Sequence, residues 1–167
     1  MEKQDFHHLR EVTNQGMPIV MFDRVCNDIP CDKVIIDDVA AGHEATEFLL
    51  RKGRNKLGII STVDYVNVGR LRSQGFKQAL EQRGFVVENH QFLKIEDIDN
   101  CESIIENFVV KNDFDALVAV NELFAVTASK ALQKAGKKIP EDVAIVAFTD
   151  GMLSKYASPT LTTIGQK

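Results

Sequence analysis

Polar side chains follow each apolar run that could form a buried strand, and they are the first candidates for chemistry. In chain order they are Asp23-Arg24, Asp37-Asp38, Ser61-Thr62 with Asp64, Glu96-Asp97, Asn121-Glu122 and Thr149-Asp150. Ligands of an open parallel sheet bind outside the carboxyl ends of its strands, so these groups would share one rim. Carboxylates, an amide and hydroxyls, without a glycine-rich phosphate loop, suit a neutral, hydroxyl-rich molecule such as a sugar or nucleoside. Ordinary turn and helix-cap chemistry uses the same residue types and is the alternative.

Arg72 is the cation that most strongly suggests a ligand contact, because it lies near the start of a helical pattern over residues 69–83. A cation at that end opposes the helix dipole unless an anionic or polar partner faces it. Its planar guanidinium could hold two ligand hydroxyls or a carboxylate. A surface arginine on a long helix would show the same spacing, so both interpretations stay open.

Signature motifs of common enzyme classes are absent from the sequence. It contains no Gly-x-Ser-x-Gly elbow, no His-Glu-x-x-His, no Walker loop and no dinucleotide glycine fingerprint. The three cysteines lack the spacing of a zinc site, and reduced thiols are expected. We therefore predict no catalytic residue, no metal and no cofactor. A small α/β enzyme with a novel site remains the enzymatic alternative.

Charge and hydropathy argue against two classes of partner. The 167 residues carry a formal net charge of -4, and the largest Lys/Arg cluster lies at residues 51–56, which argues against a nucleic-acid surface within this sequence. Because no run of about 18 apolar residues exists, no membrane span is predicted. The first residues are charged, unlike an export signal, and the cytoplasm is the expected compartment.

Alternating strand and helix patterns must position the polar rim. Apolar runs predict strands at residues 17–22, 34–36, 57–60, 92–95, 116–120 and 143–148. Helical spacing covers residues 5–15, 40–52, 69–83, 101–111 and 123–135, with stops near Gly53, Gly84, Asn112 and Gly136. This alternation predicts right-handed βαβ units, and hence a three-layer α/β fold with a parallel sheet and helices on both faces.

The loop at residues 23–32 interrupts the regular alternation and predicts a boundary. Residues 1–37 are expected to be the remnant of one subdomain, and residues 38–160 a nearly complete second subdomain. Residues 161–167 are expected to form a strand that crosses back towards the first. Because the sequence stops there in a strand pattern, we expect it to be part of a longer chain.

Five segments of the sequence carry a family resemblance when they are taken together. They are Pro18 through Arg24; Asp37 through Gly42 with Leu49-Leu50-x-x-Gly53; Arg72-x-x-Gly75-Phe76; Asp115 through Glu122; and Ile139 through Val143 with Pro159 through Gln166. In this order they resemble the effector-binding core of the lactose-repressor (LacI/GalR) family of transcriptional regulators. The resemblance covers essentially the whole sequence and implies a fold like that of type I periplasmic binding proteins.

The resemblance implies effector-binding roles for individual residues. Arg72 falls where the family's ligand-gripping arginine lies, Asn121 at its ligand-facing amide, and Asp23 at the end of a strand that lines the cleft. Thr149 and Asp150 stand where the family commonly has two aspartates, so Thr149 replaces the usual acceptor and Asp150 is its candidate substitute.

A homodimer is also implied by the resemblance. The helix at residues 123–135 and the segment 153–158 match parts of the family's dimer interface. Leu123, Val126, Lys130 and Lys134 are expected to lie on that interface. Packing of the same helix against the sheet would give nearly the same pattern.

The resemblance also leads to a hypothesis about function. The sequence is expected to be the effector-sensing and dimerising core of a LacI-type repressor, with a carbohydrate as its small-molecule effector. Operator DNA would be bound only through a helix-turn-helix domain outside this sequence. The family's Asn-Asp pair becomes Asn121-Glu122 here, which places helix capping in question. A periplasmic-type sugar-binding protein of a transporter is the alternative.

Overall fold

The computed structural model describes residues 6–22, 25–26, 28–64, 67–148 and 151–165, which divide into two units at residues 37 and 38. The first unit contains helix α1 (His7–Asn14) and two parallel strands, β1 (Val20–Phe22) and β2 (Asp32–Val34). Its described part buries Met21 and Ile29, whereas Val20 and Phe22 are exposed. This short unit therefore contributes little apolar core.

The second unit is built on a sheet of five parallel strands. These are β3 (Leu57–Thr62), β4 (Phe92–Ile95), β5 (Ala116–Ala119), β6 (Ala144–Phe148) and β7 (Thr162–Ile164), in the spatial order β4-β3-β5-β6-β7. The helices are α2 (Asp38–Arg51), α3 (Asn67–Gln82), α4 (Cys101–Lys111), α5 (Glu122–Lys134) and the short α6 (Met152–Tyr156). The predicted α/β class, a parallel sheet flanked by helices, is confirmed. None of the described helices has the length and apolar character needed to cross a bilayer.

The core of the second unit lies between this sheet and its covering helices. Every residue of β5 is buried, as expected for a parallel strand that is covered on both faces. The helices contribute large side chains that solvent does not reach, among them Leu49, Phe76, Leu80, Ile105 and Phe124.

Helices α2 and α3 cross at unusually close range because glycines face each other at the crossing. A side chain at Gly75 would meet the carbonyl oxygen of Val39, and one at Gly42 would meet the backbone of Arg72. The two helix backbones can therefore touch only while both positions lack a Cβ. This contact brings the early turns of α3, with Arg72, against the start of α2, with Asp38.

The structure confirms most predicted elements and moves some boundaries. Gly53 and Gly84 end their helices with φ of 81° and 79°, a conformation that favours glycine. The second strand lies at Asp32–Val34 instead of residues 34–36, because pairing with β1 rather than burial fixes its position. Helix α6 was not predicted, since five residues are too few to show helical periodicity.

Strand β7 lies within the segment that was expected to cross back to the first subdomain. Thr162–Ile164 pair in parallel with β6 and form an edge of the sheet, with Val146 opposite Thr162. The second unit therefore includes this strand. That residues 161–167 cross back towards the first subdomain stays a prediction.

Candidate functional site

Arg72 is a buried cation at the carboxyl ends of the central strands. It is 2% exposed, and its Nη1 donates a hydrogen bond to the carbonyl oxygen of Val120 at 2.7 Å. The guanidinium carbon lies 4.1 Å from the centroid of the Phe148 ring, within the range of a cation–π contact. Val120 directly precedes Asn121, and Phe148 directly precedes Thr149. Arg72 is thus anchored where both β5 and β6 end.

Asp38 is the anionic partner of Arg72. The sequence argument predicted that such a partner exists but did not say which residue it is. Nε of Arg72 donates to Oδ1 of Asp38 at 2.8 Å, and both side chains are buried. Asp38 is the first residue of α2, where the helix dipole favours a carboxylate. The dipole argument predicted an anionic or polar partner for Arg72. It could not choose between a ligand and a residue 34 positions away.

Asn121 caps helix α5 at the end of β5. Its Oδ1 accepts a hydrogen bond from the backbone N–H of Phe124 at 2.8 Å, which is the usual role of asparagine at this position. Helix α5 is therefore capped even though this chain has Asn121-Glu122 in place of the Asn-Asp pair of the family that it resembles. Because the cap uses the amide oxygen, the NH₂ group is the part of the side chain that can donate to a ligand.

Glu122 holds the start of helix α6, a role that sequence reasoning missed. Its Oε1 accepts hydrogen bonds from the backbone N–H of Gly151 at 2.7 Å and of Ser154 at 3.1 Å. The Ser154 hydroxyl and these N–H groups hold the pKa of Glu122 below its ordinary value, against the opposing effect of burial. A side chain at Gly151 would meet the Glu122 carboxylate, which would have to move aside. The chain is thereby fixed immediately after Asp150.

Three predicted effector contacts lie outside the described residues. Asp23 follows β1 in the sequence, and Thr149 and Asp150 lie between Phe148 and Gly151. Their roles stay predictions. The structure describes the residues on either side of the 149–150 pair, since Phe148 is buried at the end of β6 and Gly151 is bound by Glu122.

Hydroxyl groups line the end of β3. Ser73 Oγ donates to Ser61 Oγ at 3.0 Å, and Ser61 Oγ donates to the carbonyl oxygen of Gly69 at 3.0 Å. Thr62 Oγ1 is enclosed beside Gly69 and has no hydrogen-bond partner among the residues that the structure describes. This hydroxyl is a further candidate for a polar ligand contact.

Asp97, after β4, and Asp64, after β3, have partners within the chain. Asp97 accepts from the backbone N–H of Asp99 at 3.0 Å, a short-range turn bond. Asp64, after β3, pairs with Lys94 at 2.6 Å in an exposed position. At Asp97 the structure shows the turn chemistry that was the alternative expected from the sequence, whereas the ion pair of Asp64 was not expected.

The four predicted interface residues lie along α5. Leu123 is 40% exposed and Val126 is half-buried. The ammonium group of Lys130 lies 2.7 Å from Glu102, and that of Lys134 lies 3.3 Å from Glu106, so both pair with α4 of the same chain. Helix α6 exposes the apolar residues Met152, Leu153 and Tyr156. Whether these surfaces meet a second copy stays a prediction.

The sequence matches a known family model over nearly its full length. Residues 1–165 match the model described as periplasmic binding proteins and sugar binding domain of LacI family. The chain belongs to this family. Its membership confirms the family resemblance that the five sequence segments carry.

Curated members of the family with similar sequences are transcriptional regulators. The chain is 29% identical over 159 residues to the HTH-type transcriptional regulator DegA of Bacillus subtilis, covering 95% of this chain and 47% of DegA. It is 29% identical over 153 residues to the ribose operon repressor of Haemophilus influenzae, covering 90% of this chain and 46% of that protein. The chain thus spans about half the length of the curated relatives it matches.

Solved structures of LacI-type proteins share the fold. The complex of the transcriptional regulator CelR with cellobiose superposes with a TM-score of 0.87 at 24% identity, covering 99% of this chain and 52% of that chain. A regulatory protein of the LacI family from Chloroflexus aggregans gives 0.84 at 24% identity, covering 95% and 58%. At this level of identity, the likeness supports the fold alone.

Proposed function

We propose that this chain is the effector-sensing and dimerising core of a LacI-type transcriptional repressor, and that the effector is a carbohydrate. The observation that carries the proposal is the anchored Arg72. A guanidinium held by Asp38, Val120 and Phe148 is pre-organised at the rim where family members bind ligands. Pre-organisation lowers the entropy lost on binding, because the side chain is already ordered.

Recognition of the effector combines hydrogen-bond donors and acceptors. Arg72 and the NH₂ group of Asn121 supply donors, while Asp23, Thr149 and Asp150 supply acceptors for sugar hydroxyls. The names of two similar proteins support a sugar: one was solved with cellobiose, and another is a ribose operon repressor. Removing a polar partner from such a site costs affinity, because the group opposite it loses its hydrogen bond.

Operator DNA would be bound by a helix-turn-helix domain outside this sequence, in the cytoplasm. The net charge of -4 argues against a DNA-binding surface within the present sequence, and the relatives are about twice as long. The effector would act by shifting the protein between two arrangements that differ in operator affinity. Such couplings are about 1–3 kcal/mol in known allosteric proteins.

A sugar-binding protein of a transporter is the second candidate, because the family description includes periplasmic binding proteins. The regulators named above favour the first candidate. The gene sequence upstream separates the two: a helix-turn-helix supports the repressor, and an apolar export signal contradicts it.

A thermal-shift screen of the full-length gene product against sugars and nucleosides tests effector binding. A ligand at about 100 times its dissociation constant should add about 2.7 kcal/mol of stability. Arg72→Lys keeps the charge beside Asp38 but removes the planar fork, so it should abolish most of this gain. Arg83→Gln is the control, since Arg83 directly follows the same helix and pairs with Glu47. If no compound of the panel stabilises the wild type, the proposal is wrong.

A further inference from the structure

The charge of Arg72 is already offset by a carboxylate of its own chain. Nε lies 2.8 Å from Oδ1 of Asp38, and the two side chains are 3% and 8% exposed. Buried charges require such pairing, because an isolated ion loses its hydration without compensation. A ligand that approaches this guanidinium therefore also approaches the carboxylate of Asp38.

The pair acts differently on neutral and anionic ligands. A sugar hydroxyl needs only a hydrogen-bond donor or acceptor. The Arg72–Asp38 pair carries no net charge, so it neither attracts nor repels a neutral sugar by charge. A carboxylate or phosphate would be attracted by Arg72 and repelled by Asp38 over nearly the same distance, and would still lose its own hydration. The pairing thus removes the attraction for anions that a buried arginine would otherwise exert.

We infer that Asp38 is a specificity-determining residue that makes the effector site select neutral ligands over carboxylate and phosphate ligands. This inference rests on the proposed function, because it assigns a ligand class to the same site. Asp38 would then act on ligand selectivity as well as linking α2 to α3 through its ion pair with Arg72.

A second ion pair, between α2 and the turn after α3, separates the two roles of Asp38. Glu47 on α2 accepts from Arg83, which directly follows α3, through two bonds, of 3.0 and 2.7 Å. Glu47 lies further along α2 than Asp38, and the Arg83 side chain is half exposed. A pair that only braces α2 against α3 could resemble Glu47–Arg83. Asp38–Arg72 differs because it is buried and touches Val120 and Phe148 at the strand ends.

Titration with inorganic sulfate tests the inference without knowledge of the effector. Asp38→Asn in the full-length gene product removes the charge while keeping the size of the side chain. We expect it to bind sulfate at least about tenfold more tightly than the wild type at constant ionic strength, since the repulsive charge is gone. Glu47→Gln should bind sulfate like the wild type. Adding Arg72→Gln to Asp38→Asn should abolish the gain.

Each result of the titration decides the question. Equal sulfate affinity in the wild type and Asp38→Asn overturns the inference, as does a gain that survives Arg72→Gln or appears in Glu47→Gln. If Asp38→Asn does not fold, Asp38→Ser replaces it in the same comparison. If even that variant folds only in high sulfate, with sodium chloride at equal ionic strength ineffective, the inference is supported, because the anion then replaces the missing carboxylate.

A paired sugar titration distinguishes this inference from the proposed function. The wild type is titrated with neutral aldohexoses and with the corresponding uronates. Equal binding of a hexose and its uronate would leave the sensor function intact and overturn the role of Asp38. A sulfate gain in Asp38→Asn without binding of any sugar would support the role of Asp38 and contradict the carbohydrate effector.

Discussion

Glu122 offers a direct test of how the structure fixes the chain after β6. Glu122→Ala removes the ionised acceptor of the Gly151 and Ser154 N–H groups, at 2.7 and 3.1 Å. Gly151 is the N-cap residue of α6 and Ser154 lies in its first turn, so the change uncaps that helix. It also releases the chain next to Thr149 and Asp150, where effector contacts are proposed.

The expected loss of stability is about 1–2 kcal/mol, because loss of a helix cap costs about 0.5–2 kcal/mol. A buried hydrogen bond to a charged group can contribute about 1.5–3 kcal/mol, but Glu122 is half exposed and solvent weakens its bonds. For a domain of this size, each kcal/mol lowers Tm by about 2–4 °C, so the expected fall is about 2–8 °C.

The pH dependence of this loss follows from the lowered pKa of Glu122. A carboxyl whose pKa is lower in the folded state stabilises the fold fully above its unfolded pKa. That stabilisation disappears as the pH falls through the folded value. The Tm difference between wild type and Glu122→Ala should therefore stay constant from about pH 6 to pH 8 and shrink below the ordinary glutamate pKa of about 4.3.

Calorimetry across this pH range and hydrogen exchange at Gly151 and Ser154 provide the assay. Glu81→Ala is the control, because Glu81 is an exposed residue paired only loosely with Lys77, at 3.7 Å. Its replacement should change stability by less than about 0.5 kcal/mol. A Glu122→Ala protein with unchanged Tm at pH 7, or with a Tm difference that does not shrink as the pH falls below the ordinary glutamate pKa, would refute the reasoning.

Two further predictions concern packing and assembly. Gly75→Ala should cost about 2 kcal/mol in denaturant unfolding, since the new Cβ meets the backbone of Val39 and His43, which cannot rotate away. Gln74→Ala, exposed on the same helix, should have little effect, and equal stability of the two variants would contradict the close crossing. Leu153→Asp should shift the proposed dimer towards monomer in sedimentation velocity, because it places a charge on the exposed apolar face of α6. Val110→Asp on α4 should leave the assembly unchanged, and a dimer that tolerates Leu153→Asp would argue against this interface.

The buried part of the fold could be predicted because burial leaves a continuous signal in the sequence. Strands β3, β5 and β6 lie inside the sheet and are covered by helices, so each needs a continuous apolar run. The exposed strand β2 has no such requirement, and its prediction was displaced by two residues. Helix α6 depends on Glu122, which lies outside its own sequence and gives it no local signal.

In the candidate site, too, features set by neighbouring residues could be predicted, and contacts between distant residues could not. Asn121 could be placed at a strand end from its neighbours, and it caps the next helix there. The dipole of α3 indicated that Arg72 needs a partner, but Asp38 is 34 residues away and only the crossing of α2 and α3 brings it into contact. Pairings of this kind follow from packing, which periodicity does not specify.

The central claim is that a neutral sugar changes the affinity of this regulator for DNA. The most direct measurement is operator binding by the full-length gene product, using a fragment selected from genomic DNA, with and without a sugar that raises its Tm. The account predicts a change in operator affinity of about 5- to 150-fold, the usual range of allosteric coupling. A protein that binds the sugar but no DNA, or whose operator affinity is the same at saturating sugar, would contradict it.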